Sequence, residues 1–219
     1  MSKGSGGTKN STWRNKSSKT LDLMKMTESG YYDDYRKGAS EGKTMQGYMA
    51  HLMGKDLKPT LISEQEFEAL KSNPQNVAIY RGFRRNEAQN IQNYKTGDVY
   101  DGRGGVGEGS YFATKKLKEF SASGKFVEAI LDTKKAKIGD YSKLEAQWKA
   151  EMKENNAKMT QARKQTLDKT ERDNYSFRRE AYDDFGRWAT AKGYDAVINH
   201  DSRFTEYVVI NRGILKVKK

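Results

Sequence analysis

Tyr100-Asp101-Gly102-Arg103-Gly104-Gly105-Val106-Gly107-Glu108-Gly109-Ser110-Tyr111-Phe112-Ala113-Thr114 sets five glycines ahead of an aromatic, strand-prone run. Glycine frees the backbone for positive φ and lets a ligand approach the chain closely, which suits a site better than a core. No Gly-Lys-Ser/Thr closes the loop, so it lacks the context of a triphosphate-binding P-loop. Its meaning therefore depends on what flanks it.

Upstream, Val77-Ala78-Ile79-Tyr80-Arg81-Gly82 reads as a buried strand that delivers an arginine and a glycine at its end. A helix over 86–94 is expected between this strand and the glycine-rich loop. Before them, Thr60 to Ile62 is short and extended, and Ser63 followed by Glu66 forms a capping box for a helix through Leu70. Met45, Tyr48, Met49, Leu52 and Met53 recur at helical spacing. Residues 1–20, mostly Gly, Ser, Thr, Asn and Lys, read as a flexible basic arm or linker.

Downstream, Thr114 is expected to cap a helix with Leu117 and Phe120 on one face, followed by a strand from Phe126 to Leu131 and a short one at Lys137-Ile138-Gly139. Leu144, Trp148 and Met152 recur every four residues in a helix expected over 141–170. Phe177, Ala181, Phe185 and Trp188 mark another helix, closed by Gly193. Three late strands follow, Asp195 to Asn199, Glu206 to Asn211 and Ile214 to Val217. The expected organisation is an arm (1–20) and one α+β domain (21–219), helical over 21–76 and with its core over 77–219.

The chain has 219 residues, of which 35% are hydrophobic and 32% charged, so its core must be small for its length. Its formal charge of +12 favours polyanionic company such as nucleic acid. The first 19 residues contribute Lys3, Lys9, Arg14, Lys16 and Lys19 without an acid. There is no cysteine and only His51 and His200, which removes thiolate chemistry and makes a histidine-rich metal site unexpected. No apolar run reaches the roughly 20 residues of a membrane span, and no signal-peptide h-region is present; the chain is expected to be soluble, without a membrane partner.

Three segments stand out together: Tyr80-Arg81-Gly82, the glycine-rich loop into Ser110-Tyr111-Phe112-Ala113, and Thr205-Glu206-Tyr207-Val208-Val209. Their order and spacing resemble the ADP-ribosyltransferase fold, in particular modules of phage head-associated proteins and bacterial polymorphic toxins. The resemblance implies a split mixed β-core of two small sheets flanked by helices, with NAD+ as co-substrate and no metal. It further implies that Arg81 grips the NAD+ diphosphate and that the Gly82 backbone meets the carboxamide. Gly107, Gly109, Ser110 and Tyr111 would build the nicotinamide pocket, as in the Gly-x-Gly-x-Tyr-Phe-Ala of the poly(ADP-ribose) polymerase branch. Phe120 is the candidate stacking ring, although that branch places its second aromatic where this chain has Ala122.

Glu206 is the candidate catalytic acid, with Arg81 and Tyr111 as further catalytic candidates; a one-residue shift would put Tyr207 in its place. Because strand neighbours alternate faces, Ser110 and Tyr111 cannot both face the cleft. The Glu-x-Glu pair of arginine-modifying toxins is absent, since Phe204 stands two residues before Glu206. The implied activity is NAD+-dependent mono-ADP-ribosylation of a macromolecule, nucleic acid or a nucleic-acid-bound protein, by a phage or bacterial toxin or effector acting in a cytoplasm, with an antitoxin or larger carrier as further partners. The alternatives are an NAD+ glycohydrolase using the same site and a non-enzymatic basic nucleic-acid-binding virion module.

Overall fold

The computed structural model describes residues 58–96, 103–163, 179–180, 182–200 and 203–219. The arm expected over 1–20, the part of the expected helical segment before residue 58, the first residues of the glycine-rich loop and residues 164–178 lie outside the described residues.

The segment Asn76–Arg81, apolar at Val77, Ala78 and Ile79, forms strand β2. It pairs antiparallel along its whole length with Val127–Asp132, strand β6, from Asn76↔Asp132 to Arg81↔Val127. Outside β6 lie Leu215–Lys218 (β10), antiparallel, and Thr60–Ile62 (β1), parallel to β10. On the other side of the sheet, Ser110–Ala113 (β5) pairs with Thr205–Val209 (β9), then Ala196–His200 (β8), then Ile138–Asp140 (β7) in parallel at the edge. The order β1-β10-β6-β2-β5-β9-β8-β7 is one eight-stranded mixed sheet. It differs from the expected pair of separate sheets by one link: Tyr80↔Ala113 is the single registered pair between β2 and β5. Two four-stranded halves thus diverge from a seam.

One core spans the seam on one face of the sheet. Ile79, Val127 and Leu131 from one half and Phe112, Tyr207 and Val209 from the other are buried together. Helix α2, Glu87–Thr96, closes this face with Tyr94, whose ring meets Phe112 edge-on at 5.7 Å. Covers on the opposite face are separate. Helix α1, Glu64–Lys71, buries Phe67 against Ile62 and Ile130, over the β6 half. Over the β9 half, Val197 and Val208 pack beneath Phe185 and Trp188 of helix α4, Phe185–Ala191, and beside Leu144 and Trp148 of helix α3, Tyr141–Arg163. Between these two covers, the row that crosses the seam is left open to a cleft. No described helix is long and apolar enough to cross a membrane.

Local chemistry sets the element ends. Ser63 accepts from Glu66 N–H at 3.2 Å, and the Glu66 carboxylate accepts from Ser63 N–H at 2.8 Å, the expected capping box. Gly193 (φ 81) closes α4, as glycine can without Cβ strain. Two expected helices differ. Thr114 does not cap one: its N–H donates to the Thr205 carbonyl at 3.1 Å, extending the β5–β9 ladder, and only Lys118–Phe120 makes a short 3-10 turn. The helix expected to run from Phe177 through Trp188 is interrupted before α4. Asp184 takes an extended conformation there and caps α4 by accepting from Arg187 N–H at 3.1 Å.

Candidate functional site

The seam opens into a cleft of 420 Å³ whose walls include Arg81, Gly82, Gly104, Tyr111, Phe120 and Glu206. Each wall follows from the register. Tyr80, Ala113, Glu206 and Asn199 are successive partners in one row, so their side chains share a face, and Tyr111 lies on that face two residues before Ala113. Arg81 and Phe112, one residue out of step, start from the opposite face. Because β2 and β5 share only one pair, groups rooted on both faces reach the same opening.

Arg81 ends β2 with its guanidinium carbon 5.0 Å from the Phe83 ring and 5.6 Å from the Tyr94 ring. Cation–π contact of this kind is worth about 0.5–2 kcal/mol and orients the charged head. A second guanidinium, that of fully buried Arg212, lies 5.1 Å from the same Tyr94 ring. Burial pushes the Tyr94 phenol up, against the pull of Arg81, Arg212 and the Ser110 hydroxyl. Two guanidiniums thus meet at the Tyr94 ring behind the cleft, one partly buried and one fully buried.

Glu206 faces the cleft, and Tyr207 does not: Tyr207 is buried in the core on the far face. Register puts Glu206 on the cleft face, since it lies opposite Ala113 and Asn199. Asn199 Nδ2 donates to Glu206 Oε2 at 3.2 Å and so orients the carboxylate. Of the adjacent pair on β5, Tyr111 lines the cleft and Ser110 is buried on the other face. The Tyr111 hydroxyl donates to the Gly107 carbonyl, and its ring leaves no room for a Cβ on Gly104, which would stand 2.5 Å from the ring. Burial, with Glu206 and Asp184 nearby, pushes the Tyr111 phenol well above its usual range, so it stays neutral.

Other expected site residues sit elsewhere. Gly107, Gly109 and Ser110 are not among the cleft walls; Gly104 and Gly105 take that position instead. Arg103–Gly104 (β3) and Gly107–Glu108 (β4) form a small hairpin that packs on α4. Gly107 (φ 89) is needed there because a Cβ would stand 2.5 Å from Asp184 Oδ1. Asp184 also accepts from Glu108 N–H at 2.9 Å, and Arg187 pairs with the Glu108 carboxylate. Gly82 does line the cleft, but its missing side chain makes room for chain rather than ligand, since a Cβ would stand 2.5 Å from the Phe120 carbonyl oxygen.

Phe120 is neither helix core nor floor. It is 40% exposed at the opening and meets Phe204 edge-on at 6.4 Å. Tyr80, Phe83, Phe126 and Phe204 complete an aromatic lining that the sequence did not assign, Arg84 and Lys115 line the cleft as well, and Asn199 holds Glu206 from the neighbouring strand. Phe83 and Arg84 directly follow the Arg81-Gly82 pair and were within reach of that motif. Asn199 and Phe126 become visible only once the strands are paired. Comparison of the chain with protein-family models, with curated proteins and with solved structures finds no match.

Proposed function

We propose that the seam cleft binds NAD+ and that the protein transfers ADP-ribose to a macromolecular acceptor, as an ADP-ribosyltransferase-like domain. The observation that carries this reading is the convergence of Arg81 and Glu206, 125 residues apart in sequence, on one 420 Å³ opening where the sheet divides. A sheet whose halves share one pair is close to the split β-core that the resemblance implies, and the volume lies within the roughly 300–1,000 Å³ of small-molecule sites.

The donor set suits the ligand. Arg81, held against Phe83 and Tyr94, would turn guanidinium N–H donors toward a diphosphate. The Tyr111 ring and the bare backbone at Gly104 and Gly105 offer a flat, apolar wall to nicotinamide. NAD+ supplies a bond from ribose C1′ to a pyridinium nitrogen, which breaks with its electron pair leaving on nicotinamide while an acceptor lone pair forms the new bond and releases a proton. Glu206, oriented by Asn199, would hold the ribose hydroxyl and stabilise positive charge as it develops on the sugar, more in the transition state than in the ground state. The neutral Tyr111 adds no opposing charge.

The test is incubation with NAD+ labelled on its adenylate, in the presence of cell lysate, followed by separate protease, RNase and DNase digestion. Glu206→Gln is expected to lower label transfer by about 10²–10³, and Arg81→Lys to raise the NAD+ requirement by removing the fork. Label that survives in both variants would overturn the assignment. Free ADP-ribose as the sole product would make water the acceptor.

A further inference from the structure

The opening of the cleft carries features that NAD+ recognition does not use. Among the described residues only Phe120 and Leu61 are large apolar side chains exposed to solvent, and Leu61 lies on the edge strand β1. Phe120 stands instead at the rim, 6.4 Å from Phe204 with their planes at 73°. Each ring has an arginine over it: Arg84 lies 5.8 Å from the Phe120 centroid and Arg203 lies 5.6 Å from that of Phe204. Lys115 lines the same opening. At this opening Arg81, Arg84, Lys115 and Arg203 stand against two acids of the same segments, 80–85, 115–125 and 203–206, while the nearby Lys116 is paired with Glu128 at 2.8 Å. One of those acids is Glu206 itself; the other, Glu119, is exposed.

We infer that this rim binds single-stranded nucleic acid, with an unpaired base stacked on Phe120 and the backbone phosphates on Arg84, Lys115 and Arg203, and that this strand is the acceptor for the transfer. The acceptor role rests on the transferase reading; the binding does not. An exposed aromatic ring beside a cationic groove is the arrangement that holds single strands, because every base offers a flat face and every nucleotide a phosphate. A duplex cannot use Phe120, since its bases are already stacked on one another. An acidic peptide would satisfy the cations but leave the rings without a flat partner. The glutamate carboxylate that would act on the ribose lines the same cleft as this platform, so a base or sugar of the bound strand is carried to the reacting centre.

The experiment measures binding by the full chain without NAD+, so its failure is separate from failure of the transferase reading. Fluorescence anisotropy follows labelled oligonucleotides of about ten nucleotides, within the usual site size, as single-stranded RNA, single-stranded DNA and duplex, over a salt series. Single strands of either sugar are expected to bind more tightly than duplex. Phe120→Leu keeps apolar bulk but removes the ring, and is expected to weaken single-strand binding at least about fivefold without changing its salt dependence. Lys115→Gln is expected to weaken binding and to reduce the slope of log K against log salt by about 0.7. Melting curves for both variants report on the fold, and both residues are exposed. Wild-type affinity in Phe120→Leu, equal affinity for duplex, or equal displacement by polyglutamate would overturn the inference.

Discussion

Replacing Gly82 by alanine tests how the cleft wall is built. The new Cβ would stand 2.5 Å from the carbonyl oxygen of Phe120 and 2.8 Å from its carbon, both backbone atoms that no rotamer change can move. Restoring the 3.4 Å of ordinary contact requires ~0.9 Å of displacement. The 117–124 loop resists that displacement. Ala122 N–H donates to the Phe83 carbonyl at 3.0 Å, Arg84 Nε donates to the Glu119 carbonyl at 2.6 Å, and the Glu87 carboxylate accepts from Ala122 N–H at 3.0 Å and from the hydroxyls of Ser121 and Ser123. Overpacking against a held backbone costs about 1–3 kcal/mol, which for a chain of this size lowers Tm by roughly 2–12 °C. Calorimetric melting measures the loss. Gly105→Ala is the control. It lines the same cleft, yet its added Cβ meets nothing within 4 Å, so its stability should change by no more than about 0.5 kcal/mol. Equal losses in the two variants, or none in Gly82→Ala, would refute the argument that Phe120's backbone is what demands a glycine.

Three further outcomes follow from the same contacts. Asn199→Ala removes the 3.2 Å amide donor to Glu206 and should lower kcat about fivefold to tenfold, near 1 kcal/mol, with KM little changed; an unchanged kcat would end the positioning role. The hydroxyls of Ser121 and Ser123 hold the Glu87 carboxyl down to about 2 from its ordinary 4.5. Its contribution to holding the 117–124 loop is therefore present above pH 4.5 and is lost as pH falls toward 2. Amide-exchange protection factors at Ala122 and Ser123, taken against the intrinsic rate at each pH, should fall over that window in the wild type and lack that acid step in Glu87→Gln, and identical profiles would contradict it. Phe185→Ala deletes a buried ring that meets Tyr141 at 4.8 Å, Trp148 at 5.5 Å and Trp188 at 5.4 Å. Denaturant melts should lose about 3–5 kcal/mol, whereas a loss under 1 kcal/mol would mean that α4 does not depend on this cluster.

Much of the local structure was legible from short-range chemistry. The Ser63–Glu66 box, the Val77–Gly82 strand, the closing turn at Gly193 and the three late strands depend on residues within a few positions of one another. The misreadings occurred where long-range pairing competed with local signals. Thr114 has the side chain of a helix cap, but its N–H is taken by Thr205, 91 residues away in sequence. Gly107 has the freedom of a ligand-binding glycine, but that freedom serves the packing of a hairpin on Asp184 and Gly186.

Residue types and their alternation along each strand were determined by the sequence alone: Arg81 ends a strand, Glu206 and Tyr207 point to opposite faces, and so do Ser110 and Tyr111. Which of each pair faces the cleft was decided by the tertiary structure. Period-two alternation specifies relative orientation only, and the absolute face follows from register against strands distant in sequence and from which helices cover each side. The single pair Tyr80↔Ala113 made the final difference. With a full β2–β5 ladder, Arg81 and Glu206 would stand on opposite sides of a closed sheet; with one pair, the halves diverge and both side chains line the same opening.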